Sequence, residues 1–445
     1  MQNNAFRIFK PLGYIKNYIL IYIILLAIFI GTLTLACLIP TSLLTDSINE
    51  SLITLKKEGT YPSVGISWRK IALDNFTDAL MFNVAYSIDS NQPLKSSLLN
   101  LRLFDTSNSS DQIASLEKLT LYQNHDYPQA GYDRYWHGYL IYLRPLLAIV
   151  SYSQIRIIIT ISLWLFFLYY VFLVWKRLGI RPIIALTFGL IAVDYFFIGK
   201  SIQFSGVFLV GILSSIYLLW RSKNKYINLN ILFFITGGLT SFVDLLTAPM
   251  VSLGILLFTT YITNNKPKDL ITKPIYWSIG YLLIWFSKWV IAQLFYANNA
   301  ISNAIGTIAS RTIPQSNAGY NFITSINLNY LQLRGYDKQN KYILLYCLIM
   351  FFLIFLRYAS INKQKIKSSI PWVLIGLIPY LWYTIATNHT YMHVWYTYRN
   401  QLVSVIALFM IATEFMDLPR FRSDLRKLLI KIVNLFKPRL NRSNH

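Results

Sequence analysis

Two carboxylates four residues apart, Asp74 and Asp78, stand in the run Leu73-Asp-Asn-Phe-Thr-Asp-Ala-Leu-Met81. On a helix that spacing puts both on one face. A carboxylate so placed can take the proton of an attacking hydroxyl, and a pair can equally hold a divalent cation with waters. Asp78 is the candidate base, with Asp74 either the alternative base or an orienting acid. The polar segment around them, Thr45 to about Gly138, holds 11 of the 18 acidic residues of the chain. That concentration fits a catalytic loop, and it also fits a surface loop kept soluble by charge.

Candidate cations lie elsewhere. Lys288, in Trp285-Phe-Ser-Lys-Trp289, interrupts an apolar stretch, where an ionisable group costs about 2.5–3.5 kcal/mol and tends to face a cavity or a partner. Asp244 or Asp194 could supply its counter-charge within the protein. The run Thr387-Asn-His-Thr-Tyr-Met-His-Val-Trp-Tyr-Thr-Tyr-Arg399 packs His389, His393 and Arg399 among aromatics. Its histidines have a metal-ligand spacing if helical, without an evident third ligand; its aromatics also suit an interfacial belt. Asp244 sits between two apolar stretches and reads equally as a site residue or a helix-end residue. Lys200 reads as a side chain snorkelling to an interface.

The elements that must position these residues are helices in a membrane. Hydrophobic residues make up 55% of the chain and charged residues 13%, with a mean hydropathy of +0.44, against about 25% charged in soluble domains. Apolar windows long enough to cross a bilayer read as helices, because lipid leaves backbone groups no outside partner. The expected fold is an all-α polytopic membrane protein with about ten transmembrane helices: Tyr18–Leu44, Gln154–Trp175, Pro182–Gly199, Ile202–Trp220, Tyr226–Val243, Leu245–Ile262, Pro274–Tyr296, Tyr342–Phe355, Ser369–Ala386 and Gln401–Met416. Tyr139–Val150, with Arg144 and Pro145 in its middle, is too short to cross and is expected to lie at the interface.

The formal charge of +23 sits in short loops and in the tail. The loops Lys176–Arg181, Arg221–Lys225, Lys266–Lys273 and Arg357–Lys367 then share one side with both termini, as the positive-inside rule requires. The reading is therefore a plasma-membrane protein with a cytoplasmic N-terminus (1–17), a membrane domain (18–416) carrying a large external first loop (45–138), and a basic cytoplasmic tail (417–445). Such charge points to anionic lipid rather than nucleic acid. The two cysteines, Cys37 and Cys347, give neither a metal spacing nor a disulfide framework.

Asp133-Arg-Tyr-Trp-His-Gly-Tyr-Leu-Ile-Tyr-Leu-Arg-Pro-Leu-Leu147, followed by Ser151-Tyr-Ser-Gln-Ile-Arg156, resembles the GT-C class of membrane glycosyltransferases, of the protein O-mannosyltransferase and aminoarabinose transferase type. There the loop after the first span carries interfacial helices and ends in a His or Lys, Pro-Pro and an interfacial helix. A segment ending in Arg then opens the next span. His137 and Arg156 match the two polar positions, and Gly138-Tyr139 replaces Pro-Pro. Thr77-Asp-Ala-Leu-Met81 resembles the Asp-Glu-Ala element of the same loop, with Asp78 as the acid and Ala79 in place of Glu. The likeness covers about a third of the chain.

The resemblance implies an inverting transfer of sugar from a polyprenyl-phosphate donor to a cell-envelope glycan or other acceptor on the outer face of the membrane. Asp78 or Asp74 would be the base. Lys288, Arg399, His393 and Arg144 would be partners of the donor phosphate, and His137, Asp244 and His389 further site candidates. No cofactor is required beyond the open question of a divalent cation. Two other classes compete: a polysaccharide polymerase of the O-antigen type, whose large loop comes late in the chain, and a transporter or flippase of lipid-linked saccharide, whose inverted repeats are not visible here.

Overall fold

The structure, a computed structural model, describes residues 5–66, 69–104, 111–122, 127–222, 227–296, 299–313, 321–335 and 352–436. Helices dominate it. Each apolar stretch named above carries one; in Tyr342–Phe355 the described residues 352–355 are helical, and residues 342–351 lie outside the described residues. Five helical segments are long and apolar enough to cross a membrane: Ile15–Cys37 within α1 (Ala5–Cys37), α7 (Tyr152–Leu178), α9 (Ile202–Arg221), α12 (Asp269–Tyr296) and α15 (Lys363–Ile385). Three shorter apolar helices, α8 (Ile180–Ala192), α10 (Leu229–Val243) and α11 (Met250–Asn264), pack among them.

The surface confirms the solvent. Along α7, Ile157, Ile161, Leu165 and Leu168 all face outward at 52–63% exposure, while Ile155, Ile159 and Leu163 face the core. An apolar stripe of that length is untenable in water and natural in lipid. The protein is membrane-embedded. Close packing inside the bundle rests on small residues. A Cβ on Gly237 of α10 would come within 1.9 Å of the Trp277 carbonyl oxygen on α12, and one on Gly280 within 2.0 Å of the Phe234 carbonyl oxygen.

Between α1 and α7 the chain forms a small polar subdomain. It contains α2 (Thr45–Glu58), α3 (Asn75–Tyr86), α4 (Pro93–Leu99), α5 (Gln112–Thr120) and α6 (Leu140–Leu147). Two antiparallel ladders brace it, Ser63–Ile66 with Arg69–Ala72 and Arg102–Leu103 with Gln129–Ala130. Asp74 starts α3 by accepting the N–H of Thr77 at 2.9 Å, the expected work of an N-cap aspartate. Ser151 and Gln154 form a capping box that starts α7. The stretch read as interfacial does contain a short helix, α6, with Pro145 inside it.

Gly138 has a physical reason to stand in place of the proline that the resemblance implies. Its N–H donates to the Phe242 carbonyl at 2.8 Å, and a Cβ there would lie 2.5 Å from that same oxygen. Proline has no N–H to give and could not approach so closely.

Candidate functional site

Asp74 and Asp78 meet α9 from the first turn of α3, but their surroundings differ. Asp78 is fully buried. The Tyr152 hydroxyl donates to its Oδ2 at 2.5 Å, and the N–H groups of Ile202 (3.0 Å) and Gln203 (3.4 Å) at the start of α9 donate to its two oxygens. A helix N-terminus favours such a negative charge. Burial nevertheless pushes the Asp78 carboxyl up to about 7, against the lowering effect of Tyr152. Arg156 joins this network at one remove, donating to the Tyr152 hydroxyl (2.6 Å), to Asn75 (2.7 Å) and to Glu58 (2.8 Å).

Asp74 lies behind the wall of a cavity of about 210 Å³. Its Oδ2 accepts from the Thr77 hydroxyl at 3.1 Å, the Gln203 amide and the Trp395 indole at 3.3 Å, and both Thr77 and Gln203 line the cavity. Burial raises its carboxyl above the usual range, opposed by the hydrogen bonds from Thr77, Trp395 and Gln203. Asp78 does not border this cavity. Asp74 does not border it either; both carboxylates accept from Gln203, Asp78 from its N–H at 3.4 Å and Asp74 from its side-chain amide, and Asp74 accepts from Thr77 as well.

Three arginines face the same cavity: Arg102, Arg134 and Arg311. The Arg102 ladder, pairing with Ala130, brings Arg102 and Arg134 both against Tyr132, with guanidinium carbons 5.5 and 4.6 Å from its ring centre. Arg134 is fixed through its backbone, since the indoles of Trp285 and Trp289 both donate to its carbonyl, at 2.7 and 3.1 Å. Arg311 arrives on α13 (Ala300–Thr312), where it is the only charged residue. It donates to Nδ1 of His389 at 3.0 Å and Nε2 of His393 at 2.6 Å. Burial, with the Arg311 charge, pushes the His393 imidazole down to about 3; burial and both of these neighbours hold His389 well below its ordinary value. Both imidazoles are thus neutral. Among the described residues no carboxylate lines the cavity or forms an ion pair with any of the three arginines.

A second cavity, of about 410 Å³, adjoins the first and shares Arg134, Tyr135 and Arg311 with it. Its other walls are almost wholly apolar and come from α11, α12, α13 and α15. Along α12 it runs from Pro274 to Trp289, about 22 Å at the helical rise. Leu282 and Leu381 line it and are also 57% and 63% exposed, so it opens toward the lipid-facing surface.

The remaining sequence candidates are placed elsewhere. Lys288 is fully buried and donates to the Ser97 carbonyl at 2.8 Å and to Asn100 Oδ1 at 2.7 Å, both at the C-terminal end of α4. Neither Asp244 nor Asp194 is its partner. Arg144 donates to the carbonyls of Ala36, Ile39 and Ala85, at the ends of α1 and α3. Helix C-termini leave such carbonyls without partners, and both cations act as caps. Arg399 is buried against Phe204, 4.1 Å from its ring centre, and donates to the Trp395 carbonyl at 2.9 Å. His137 is buried between the Tyr132 carbonyl and the Tyr139 hydroxyl. None of these four lines either cavity.

Asp244 accepts the N–H of Thr247 at 2.9 Å and shapes the turn whose Leu246 carbonyl accepts from His389 Nε2 at 2.7 Å. Of the candidate cationic and imidazole side chains, the structure brings only His389 and His393 to the cavity. Arg102, Arg134 and Arg311 were not foreseen. Their signal in the sequence is faint: two cations in an acid-rich loop, and a single charge on an otherwise neutral helix.

Among the described residues no group of three or more His, Cys, Asp or Glu is arranged to hold a metal ion. Comparison with protein-family models, with curated proteins and with solved structures finds no match for this chain.

Proposed function

We propose that this protein is a membrane glycosyltransferase of GT-C-like design, taking a sugar from a polyprenyl-phosphate donor. The observation that carries the reading is the pair of cavities with Arg134 and Arg311 in their common wall. An isoprenoid tail suits the apolar one, and a phosphate suits the wall, where two guanidiniums, neither in an ion pair with a carboxylate among the described residues, offer fork-shaped donors. The sugar then occupies the small polar cavity with Arg102, Gln203 and Tyr132.

The chemistry is a single displacement. The acceptor oxygen bonds to the anomeric carbon as the bond from that carbon to the phosphate oxygen breaks, and polyprenyl phosphate leaves with the electron pair. The acceptor proton passes to Asp74, whose Oδ2 now receives donors from Thr77, Gln203 and Trp395; an acceptor hydroxyl takes the place of one of them. A base with a raised pKa in a dry site is well matched to that proton. The arginines balance the charge growing on the phosphate.

In this reading the chain crosses the plasma membrane about ten times with both termini in the cytoplasm, and the site lies toward the outer face. The test supplies membranes containing the protein with a panel of polyprenyl-phosphate hexoses. Release of polyprenyl phosphate, with the sugar appearing on a glycan or other acceptor, supports the reading. Movement of the intact lipid across the bilayer without loss of sugar would instead indicate a flippase.

A further inference from the structure

We infer that Tyr61, Phe76 and Trp395 form a stacking platform beside Asp74 for a pyranose ring of the acceptor, so that the acceptor is a hydrated glycan. The inference rests on the transferase reading and names the second substrate of the same site.

The platform is built around the carboxylate. Two backbone hydrogen bonds, Leu73 N–H to the Pro62 carbonyl (2.9 Å) and Phe76 N–H to the Thr60 carbonyl (3.1 Å), fasten residues 60–62 to either side of Asp74. Tyr61 is thereby held near it, close enough for the two side chains to interact electrostatically. Its ring lies nearly parallel to Phe76 (centroids 6.2 Å apart, 13°) and edge-on to Trp395 (5.5 Å, 67°). The Trp395 indole N–H donates to Asp74 Oδ2 at 3.3 Å, tying the third ring to the base. Tyr61 remains 48% exposed despite these contacts, which leaves part of its side chain open to a ligand. Phe76 also lines the polar cavity, which joins the platform to the position of the donor sugar.

Aromatic faces bind the axial C–H face of a pyranose while its hydroxyls stay hydrated or meet polar tips, here the Tyr61 hydroxyl, the Trp395 indole and Asp74. A ring stacked on Tyr61 would present a hydroxyl to Asp74.

The full-length protein in nanodiscs is titrated with hexasaccharides of α-mannose, β-glucose and β-N-acetylglucosamine, followed by saturation-transfer NMR, and separately with polyprenyl phosphate. At least one hexasaccharide is expected to bind. Tyr61→Ala should weaken that binding by about tenfold, the loss of one good aromatic contact. Tyr61→Phe should restore most of it, and polyprenyl phosphate affinity should be unchanged in both variants. Failure of all three hexasaccharides to bind the wild type, or equal binding by Tyr61→Ala, overturns the platform. Failure of polyprenyl phosphate to bind the wild type overturns the donor reading instead, so the two failures are distinguishable.

Discussion

The Arg311 guanidinium donates to Nε2 of His393 at 2.6 Å and to Nδ1 of His389 at 3.0 Å, so two neutral imidazoles hold a cation where a carboxylate is the usual partner. His389 fixes its own tautomer by giving its Nε2 proton to the Leu246 carbonyl. The arrangement aims Arg311 without neutralising it. Its charge remains available to an anion entering from either cavity.

That arrangement predicts which group sets the acid side of the pH profile. Burial and Arg311 depress both imidazoles, so neither gains a proton near neutrality, whereas the Asp74 carboxyl is raised by burial. Asp74 must be ionised to accept a proton. Transfer should therefore rise with pH through the Asp74 pKa, and Asp74→Asn should lower turnover by about 10²–10⁴. His393→Gln should leave the acid limb of kcat/KM where it was; a displaced limb would return the proton to the histidine.

Asp78 predicts a stability effect. Its folded carboxyl titrates at about 7 and its unfolded one at about 3.9. The folded state thus binds the extra proton more tightly, and stability from this group is full below about pH 4 and lost as pH rises toward 7. Thermal unfolding of the purified protein should show this falling component between about pH 4 and 7. Asp78→Asn should flatten it, and a slope identical to that of the wild type would remove Asp78 as its source.

Lys288 is expected to matter for folding rather than for donor binding. Lys288→Met leaves the Ser97 carbonyl and Asn100 without their shared donor, a cost of about 1–3 kcal/mol. A lowered Tm with unchanged polyprenyl phosphate affinity is the expected result. Normal Tm with weakened affinity would restore Lys288 as a phosphate partner.

Orientation can be read by labelling intact cells from outside in a cysteine-free background. Ser302→Cys, on the exposed side of α13, should react with an impermeant maleimide, and Lys268→Cys, between α11 and α12, only after permeabilisation. The reverse pattern would invert the proposed topology.

The membrane class was legible because length and apolarity of a segment translate directly into a helix in lipid. The short helix after the polar segment was legible for the same reason, since eight residues with a proline cannot span. Lys288 and Arg144 misled because a cation in apolar surroundings normally signals a site, and nothing local reveals that helix-end carbonyls from residues about 190 and 60–110 positions away will meet it. Arg102, Arg134 and Arg311 escaped notice for the converse reason. Each sits in an ordinary polar context, and only the Arg102–Ala130 ladder and the docking of α13 on His389 and His393 bring them together.

The shared wall is the centre of the account, and polyprenyl phosphate binding tests it most directly. Affinity is measured for the full-length protein in nanodiscs, with polyprenyl phosphate and with the corresponding polyprenol. The account predicts that the phosphate binds far more tightly than the alcohol, and that Arg134→Gln and Arg311→Gln each weaken it by about tenfold or more, the loss of one charge-assisted contact. Equal binding of the alcohol, or affinity unchanged when both arginines are replaced, would contradict it.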